Sequence, residues 1–429
     1  MRKAKLGLLV ALLILTATTA AQAGWIEDAR AQIQAREYIK ALQTIENEGD
    51  SSSVDGLHLR AEANFEMGRV LDAEKDLKAA LEIDETLAEA HALLALVYAR
   101  QRAVELAKKH ADRGVELNQN AATLYGRAIV FLAQGKVDSA MTDIEAALAL
   151  DPKISDYHRA RGAIFRIRGK YDEAMAEFKI ALENDKRPYK TYLEMASLYV
   201  LRGDPVNAKR DINKSVQIAP ELYYGYLGRA AVREAYKEYE AALADYRKAL
   251  ALAPQVAELY FNISNLLVGL GRIDEAEKVL VEARKVCADI PDWYVMMSLV
   301  QSTLKKPTEA LATLNELIRR TPDEWQGYTL RGQLHGAQGR LDEALADFDH
   351  AIAIAPKAPE PKLNKAKVLL GQKKPEAALQ IINDMIAEYP ESMALYQMRM
   401  AVFEAQGRAK EALADLEKIE QLKKKGRSQ

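Results

Sequence analysis

The sequence predicts an all-α solenoid of stacked helix-turn-helix repeats, and three patterns carry that prediction. The twentieth position of every repeat is Ala, and the fifteenth position is Gly in seven of the eleven repeats. Apolar residues recur at helical spacing on both sides of that fifteenth position. The eleven repeats are spaced 33 or 34 residues apart and are numbered here in order from their first residues, Val54, Ala88, Ala121, Ser155, Tyr189, Tyr223, Ala257, Pro291, Trp325, Pro359 and Met393.

Each repeat is predicted to form a helix, a tight turn, a second helix and a loop. Gly at position 15 suits a left-handed turn at the end of the first helix, and Ala at position 20 suits a close crossing of the two helices. The thirteen prolines fall in inter-repeat loops, in the first turn of second helices or at repeat junctions, where proline is tolerated. The glycines are Gly68, Gly135, Gly169, Gly203, Gly271, Gly339 and Gly407.

Residues 1–23 are predicted to be a signal peptide. Arg2, Lys3 and Lys5 form a positive start, an apolar run covers Leu6 to Leu15, and Ala21-Gln22-Ala23 forms a small-x-small cleavage sequence before Gly24. The apolar run is far shorter than the roughly 20 residues of a membrane-spanning helix. We therefore expect an exported chain without a transmembrane segment after signal removal, most simply in the periplasm of a bacterium.

The stretch YTLRGQLHGAQGRLDEALADFDHAIAIAP, from Tyr328 to Pro356, resembles the tetratricopeptide repeat, which has a 34-residue pattern of aromatic, Leu-Gly, Tyr, Ala, Phe and Pro positions. The resemblance implies a right-handed superhelical solenoid, with eleven tandem repeats over residues 54–426 and a short tail over 427–429. Residues 24–53 resemble a degenerate repeat that caps the N-terminal end. They depart from the pattern at Asp28 and Gln32, where apolar residues are expected.

Arginine at position 7 is predicted to be structural. In the six repeats that have it, position 23 is acidic, and among the other five repeats only the one with Met195 has an acid there, Asp211. This covariation between copies indicates an ion pair between the two helices of a repeat. The six pairs are Arg60 with Asp76, Arg127 with Asp143, Arg161 with Glu177, Arg229 with Asp245, Arg331 with Asp347, and Arg399 with Asp415.

Composition and motifs argue against several classes of function. Lys and Arg total 60 and Asp and Glu total 62, which does not suit a nucleic-acid binder. Gly269-Leu270-Gly271 begins a dinucleotide fingerprint, but Asp274 stands where its third Gly belongs. One Cys and six scattered His leave little material for a metal site. We therefore expect no catalytic residues, no cofactor and no metal.

Two features leave alternatives open. Cys287 lies at the end of a second helix, where it is either buried between repeats or available to pair with another chain. The basic residues near the C-terminus, from Lys423 to Arg427, either stabilise the end of the last helix or contact an anionic membrane or a partner.

The resemblance places the binding surface on the concave face, lined by first-helix positions 2, 5, 6, 9, 12 and 13. Most acids on these positions are at position 2, where they suit the helix dipole, and the remaining charges nearly cancel. An apolar row on this face is predicted to anchor apolar side chains of a partner. The alternative is that neighbouring turns of the solenoid bury part of it. The row consists of Tyr125, Ile129, Leu193, Val200, Tyr224, Leu227, Phe261, Val295, Met296 and Leu299.

The expected function is a non-catalytic scaffold or adaptor of the cell envelope that binds a partner polypeptide in the concave groove. Its partners would be envelope proteins, including those of an outer-membrane complex. The alternative is a glycan-binding scaffold of a polysaccharide export or envelope assembly machine. That function would use exposed aromatic residues with polar neighbours, namely Tyr224, Phe261, Asn262 and Asn265.

Overall fold

The computed structural model describes residues 24–427, and all regular structure in that range is α-helical. The predicted signal peptide and the last two residues of the predicted tail lie outside this range, whereas Arg427 ends the last helix. Within it, no helix is long and apolar enough to cross a membrane. The helices follow one another in consecutive pairs, which confirms the predicted fold class.

The helices have the following bounds: α1 24–34, α2 Tyr38–Asn47, α3 Val54–Glu66, α4 Val70–Ile83, α5 Ala88–Arg100, α6 Val104–Leu117, α7 Ala121–Ala133, α8 Val137–Leu150, α9 Ser155–Ile167, α10 Tyr171–Glu183, α11 Tyr189–Leu201, α12 Pro205–Ile218, α13 Tyr223–Ala235, α14 Tyr239–Leu252, α15 Ala257–Gly269, α16 Ile273–Cys287, α17 Pro291–Thr303, α18 Pro307–Arg320, α19 Trp325–Ala337, α20 Leu341–Ile354, α21 Pro359–Gly371, α22 Pro375–Glu388, α23 Met393–Ala405 and α24 Ala409–Arg427. The first helix of every repeat begins at the residue predicted from the sequence. These helices form two compact units, an N-terminal unit of α1–α16 and a C-terminal unit of α17–α24, divided between Ile290 and Pro291.

Positions 15 and 20 set the geometry of each repeat. The alanine at position 20 is at most 6% exposed in all eleven repeats, because it lies where the two helices cross. The seven glycines at position 15 all have positive φ angles, from 68° to 79°, as a left-handed turn requires. The other four repeats and the N-terminal cap make the same turn without glycine. Their residues have φ angles of 57° to 62° and are all basic: Arg36, Arg102, Lys237, Lys305 and Lys373.

The six arginine–acid pairs are present between the two helices of their repeats. In five of them, Nε and Nη2 of the arginine donate to the two carboxylate oxygens of the aspartate at 2.6 to 3.0 Å. In the sixth pair, Nη2 of Arg161 donates to one carboxylate oxygen of Glu177. The other oxygen of Glu177 lies 2.8 Å from Nδ1 of His158. The exceptional Asp211 is fully buried and accepts from the neighbouring Arg210 at 2.6 Å.

Some of these arginines also contact the preceding repeat, a contact that the sequence comparison missed. Nη1 of Arg331 donates to Asn315 at 2.7 Å, and Nη1 of Arg399 donates to Asn383 at 2.6 Å. Lys365, at the same repeat position, pairs with Asp349. Position 7 of one repeat is therefore linked to position 25 of the repeat before it.

The N-terminal unit closes on itself. Arg36, in the turn between α1 and α2, forms ion pairs with Asp156 at 2.8 Å and Asp185 at 2.9 Å. The cap residues Trp25 and Tyr38 belong to a hydrophobic cluster that also contains residues of α11 and of the loop before α13. A Cβ on Gly68 would lie only 2.7 Å from that of Ala253, so repeat 1 and the end of repeat 6 are in tight contact.

Candidate functional site

The N-terminal unit contains a cavity of about 900 Å³ between the first helices of its repeats, referred to here as the chamber. Its wall comes from α1–α3, α5, α7, α9, α11 and α13 and the adjoining loops. The contact between the cap and the later repeats therefore makes the inner surface of the first repeats the wall of a cavity that is open to solvent. Four residues of the predicted apolar row line it, namely Tyr125, Ile129, Leu193 and Tyr224.

Ion pairs across the chamber join repeats that are far apart in the sequence. Nζ of Lys190 on α11 lies 2.6 Å from the carboxylate of Glu66 on α3. Burial opposes ionisation of Glu66, but Lys190 holds the pKa of this carboxyl below its usual value. Asp156 accepts from both Arg36 and Arg159 at 2.8 Å. Although burial again acts in the opposite direction, the surrounding cations hold the pKa of Asp156 well below its usual range.

Glu62 is the exception in this network. It lies one helical turn before Glu66 and lines the chamber, and the structure gives it no hydrogen bond or ion pair within residues 24–427. Burial, assisted by the negative charge of Glu66, raises the pKa of Glu62 to about 7.

Arg100 lies on another part of the wall. Its guanidinium donates to the carbonyl oxygen of Phe65 at 2.9 Å, and the guanidinium carbon lies 3.9 Å from the centre of the Phe65 ring.

A second cavity lies wholly in the C-terminal unit, among α17, α18, α19 and α21. This C-terminal pocket has a volume of about 450 Å³. Its apolar lining residues are Val295, Leu317, Trp325 and Leu330 together with the ring of Pro291. Three acidic residues also line it, and no Lys, Arg or His does: Asp292, Glu324 and Glu360. It combines an apolar surface with negative charge.

The remaining residues of the predicted groove have different surroundings. Phe261 is only 4% exposed, and the guanidinium carbon of Arg102 lies 5.6 Å from its ring centre, so the ring supports the closure of the N-terminal unit. Val295 lines the C-terminal pocket, whereas Leu299 is 55% exposed outside it. Asn265 is exposed, and the half-buried members are Val200, Leu227, Asn262 and Met296.

The charged residues of the chamber were missed because the sequence was read one repeat at a time. Asp156 and Lys190 both occupy position 2, and the position-2 acids were attributed to the helix dipole. Asp156 instead pairs with arginines of its own helix and of the cap. The sequence does contain one sign of these ion pairs: groove positions of distant repeats have opposite charges, as Glu66 and Lys190 do.

Metal-ligating side chains and the single thiol are the remaining reactive groups. Within residues 24–427, no group of three or more His, Cys, Asp or Glu is arranged to hold a metal ion. Cys287 is a free thiol that is fully buried, and burial raises its pKa to about 12. Cys287 is therefore buried between repeats, which is one of the two alternatives that the sequence left open.

Comparison with known proteins gives matches to repeat proteins. Two family models, both described as tetratricopeptide repeat, match residues 125–189 and 296–359 and residues 235–293 and 337–402. Together these segments span more than half of the chain. A curated relative, the protein O-mannosyl-transferase Tmtc3 of Drosophila melanogaster, is 32% identical over 88 residues, which are 20% of this chain and 10% of that protein.

Two solved structures are similar over most of the chain. One is the APC/C hetero-tetramer Cut9-Hcn1, with 15% identity and a TM-score of 0.44, covering 93% of this chain and 80% of that one. The other is yeast Tom70, with 17% identity and a TM-score of 0.45, covering 86% of this chain and 92% of that one.

Proposed function

The chain belongs to the tetratricopeptide repeat family, and we propose that it is an exported, non-catalytic adaptor that binds a partner polypeptide in the C-terminal pocket. The repeat fold is suited to protein–protein interaction because stacked helices present an extended concave surface. In the N-terminal unit, ion pairs of Arg36 with Asp156 and Asp185 tie the cap to distant repeats at that surface. The pocket beside Val295 and Trp325 therefore carries the proposal.

The lining of this pocket suggests the chemistry of the partner. Apolar side chains at the centre of a site supply most of the binding energy in typical interfaces, and charges around them set specificity. Val295, Trp325 and Leu330 offer an apolar surface, while Glu324 and Glu360 supply negative charge without a basic residue in the lining. A matching segment has an aliphatic or aromatic side chain with Lys or Arg next to it.

A site-specific crosslink identifies the partner. A photoreactive amino acid replaces Gln333, an exposed residue of the pocket lining, and captured peptides are identified by mass spectrometry from the producing cells. The identified segment is then synthesised, and its affinity for the purified protein is measured by fluorescence anisotropy. Val295→Asp should weaken binding at least tenfold, because it places a charge on the apolar surface.

Matched substitutions separate the pocket from the general surface. Leu413→Asp changes an apolar residue that is 55% exposed in the same unit but outside the pocket, and it should leave binding unchanged. The double variant Glu324→Lys with Glu360→Lys should weaken the binding of a basic segment. Glu417→Lys changes another exposed acid and should leave that binding unchanged. Equal binding by Val295→Asp and the parent protein, with helicity retained, would show that the partner binds elsewhere.

Export is tested on the N-terminus of the protein isolated from cells. Gly24 should be the first residue of the mature chain, and the protein should fractionate with the periplasm. A chain that retains residues 1–23 in the cytosolic fraction would contradict export and leave the pocket proposal to be tested separately.

Polypeptide binding is favoured over the glycan alternative by the position of the residues concerned. Phe261 is 4% exposed and Tyr224 lines the chamber, so these two rings do not form an open aromatic row with Asn262 and Asn265. Saturable binding of isolated envelope glycans that is lost in Asn262→Ala and Asn265→Ala would favour the glycan function instead.

A further inference from the structure

We propose that the chamber of the N-terminal unit is a binding site for a small molecule with a primary ammonium group, which pairs with the carboxylate of Glu62. This proposal does not depend on the adaptor function, because the chamber and the C-terminal pocket belong to different compact units. It is based on the one carboxylate of the chamber wall that the network of ion pairs leaves without a donor.

Every other carboxylate of the wall has a donor. Glu66 pairs with Lys190 at 2.6 Å, and Asp185 and Asp156 both pair with Arg36. The other two also have partners: Glu89 accepts from the side-chain amide of Asn120 at 2.6 Å, and Glu194 lies 3.5 Å from Arg166 of the preceding repeat. Glu62 has no such partner in the described chain, although it is half-buried and burial of an unpaired carboxylate is costly.

The charges that face Glu62 favour a cation over an anion as the ligand. Its electrostatic neighbours are Glu66, Lys190, Asp156 and Arg30. The two cations are already engaged, since Lys190 pairs with Glu66 and Arg30 pairs with Asp55 at 2.7 Å. An anion would therefore meet an unpaired carboxylate at Glu62, whereas an ammonium group would pair with it.

The size and surface of the chamber fit an organic cation. About 900 Å³ is within the range of small-molecule sites, which are mostly apolar with a few polar groups. Tyr125, Ile129 and Leu193 supply apolar surface on the same wall. The face of an aromatic ring also attracts a cation, as shown by Lys190, whose Nζ lies 5.5 Å from the ring centre of Tyr224. The exposed Lys153 and Lys186 are the remaining lysines of the lining.

Protonation of Glu62 is the competing way to relieve its isolation. With its pKa raised to about 7, the carboxyl is largely ionised at pH 8 and largely neutral at pH 5.5. An ammonium ligand should therefore bind more tightly at pH 8 than at pH 5.5. A chamber that only holds water would give no saturable ligand signal at either pH.

The test uses saturation-transfer NMR on the chain from Gly24 to its C-terminus. The probes are n-butylammonium and benzylammonium, and the matched controls are n-butanol and pentanoate, which have the same butyl chain as the first probe without the positive charge. We expect saturable transfer from at least one amine at pH 8 and none from the alcohol or the anion. Glu62→Gln should weaken that binding at least tenfold, because it keeps the shape and removes the charge.

Two further variants keep the result interpretable. Glu62→Asp keeps the charge on a shorter side chain and should retain weaker binding, and Glu324→Gln with Glu360→Gln removes acids of the C-terminal pocket and should have no effect. Circular dichroism establishes that each variant is folded. Absence of saturable amine binding to the parent protein, or equal binding to folded Glu62→Gln, would overturn the proposal. Neither result would affect binding of a polypeptide in the other unit.

Discussion

Nε of Arg36 lies 3.0 and 3.2 Å from the two carboxylate oxygens of Asp185, although 149 residues separate these two residues in the chain. Arg36 is 6% exposed, and the side chain of Asp185 is 3% exposed. In a simple solenoid each repeat contacts only its neighbours, so the stability of the array is a sum of local terms. The contact between Arg36 and Asp185 adds a long-range contribution to the stability of the N-terminal unit.

We expect Arg36→Ala to destabilise the N-terminal unit by about 3 kcal/mol, because it leaves the buried carboxylate of Asp185 without its cation. Urea unfolding measures the loss of stability, and hydrogen exchange should become faster in α9 and α11 as well as in the cap. Lys237→Ala is the matched control, since Lys237 has the same positive φ but an exposed side chain. An equal effect of the two substitutions would show that the ion pairs do not hold the unit closed.

The ion pair within a repeat is expected to behave differently when one or both partners are replaced. Asp347 is 6% exposed, so Arg331→Leu should cost about 3 kcal/mol by leaving that carboxylate unpaired. Arg331→Leu combined with Asp347→Leu should recover most of this loss, because apolar residues can fill the same space. A double-mutant cycle in urea measures the coupling. Additive losses in the double variant would contradict the pairing.

The non-glycine turns offer a route to greater stability. Lys373 has φ 57°, a conformation that costs a side-chain-bearing residue about 1–2 kcal/mol, against about 0.5–1 kcal/mol for the greater chain entropy of glycine. Lys373→Gly should therefore stabilise the protein by roughly 0.5–1 kcal/mol. The reverse change at an equivalent turn, Gly339→Lys, should destabilise it, and because a Cβ there meets nothing within 4 Å, only the backbone is affected. The shift in thermal midpoint of both variants checks the sign.

Glu62 is expected to lower stability as the pH rises. Its pKa is raised from 4.5 to about 7 on folding, so between these values the folded chain retains a proton that the unfolded chain has lost. Stability from this group therefore falls from pH 4.5 to pH 7 and is constant above, by about 2 kcal/mol after allowance for partial exposure. Glu62→Gln should be more stable than the parent at pH 8 and similar near pH 4.5. Urea unfolding checks this, and the same difference in stability between variant and parent at both pH values would contradict it.

Cys287 is expected to resist thiol reagents while the protein is folded. Its side chain is buried, and its pKa of about 12 leaves almost no thiolate at neutral pH. Reaction with a chromogenic disulfide should therefore be slow in buffer and complete in concentrated urea. Fast labelling of the folded chain, or a disulfide-linked dimer under oxidising conditions, would contradict the buried position.

Local structure was predictable because the same local pattern recurs in every repeat. The helix starts, the glycine turns and the partner of Arg127 all follow from comparing copies, since equivalent positions have equivalent surroundings. Arg102 and Lys373 show the limit of this comparison. They occupy the position where glycine indicates a left-handed turn, and the repeat imposes that turn on them although their own preference is against it.

The closure of the N-terminal unit was not predictable from the same comparison. Whether Glu66 meets Lys190 depends on small rotations between successive repeats, which accumulate over the intervening helices and leave no periodic signature. The predicted apolar row was correspondingly divided, with Tyr125 facing the chamber and Val295 in the C-terminal pocket. Trp325 was not selected because it is the first residue of its repeat, outside the groove positions.

The chamber also sets an order of events during synthesis. Trp25 and Tyr38 leave the ribosome early, but the cluster that buries them includes Ala219 and Leu222. At about 5–20 residues per second, those later residues emerge roughly 10–40 s afterwards. For that interval the part of the nascent cap that packs against these later residues lacks its partner. Holding proteins that bind unfolded chains thus have a defined period in which to act on this end, and the rate of translation between the cap and α13 decides its length.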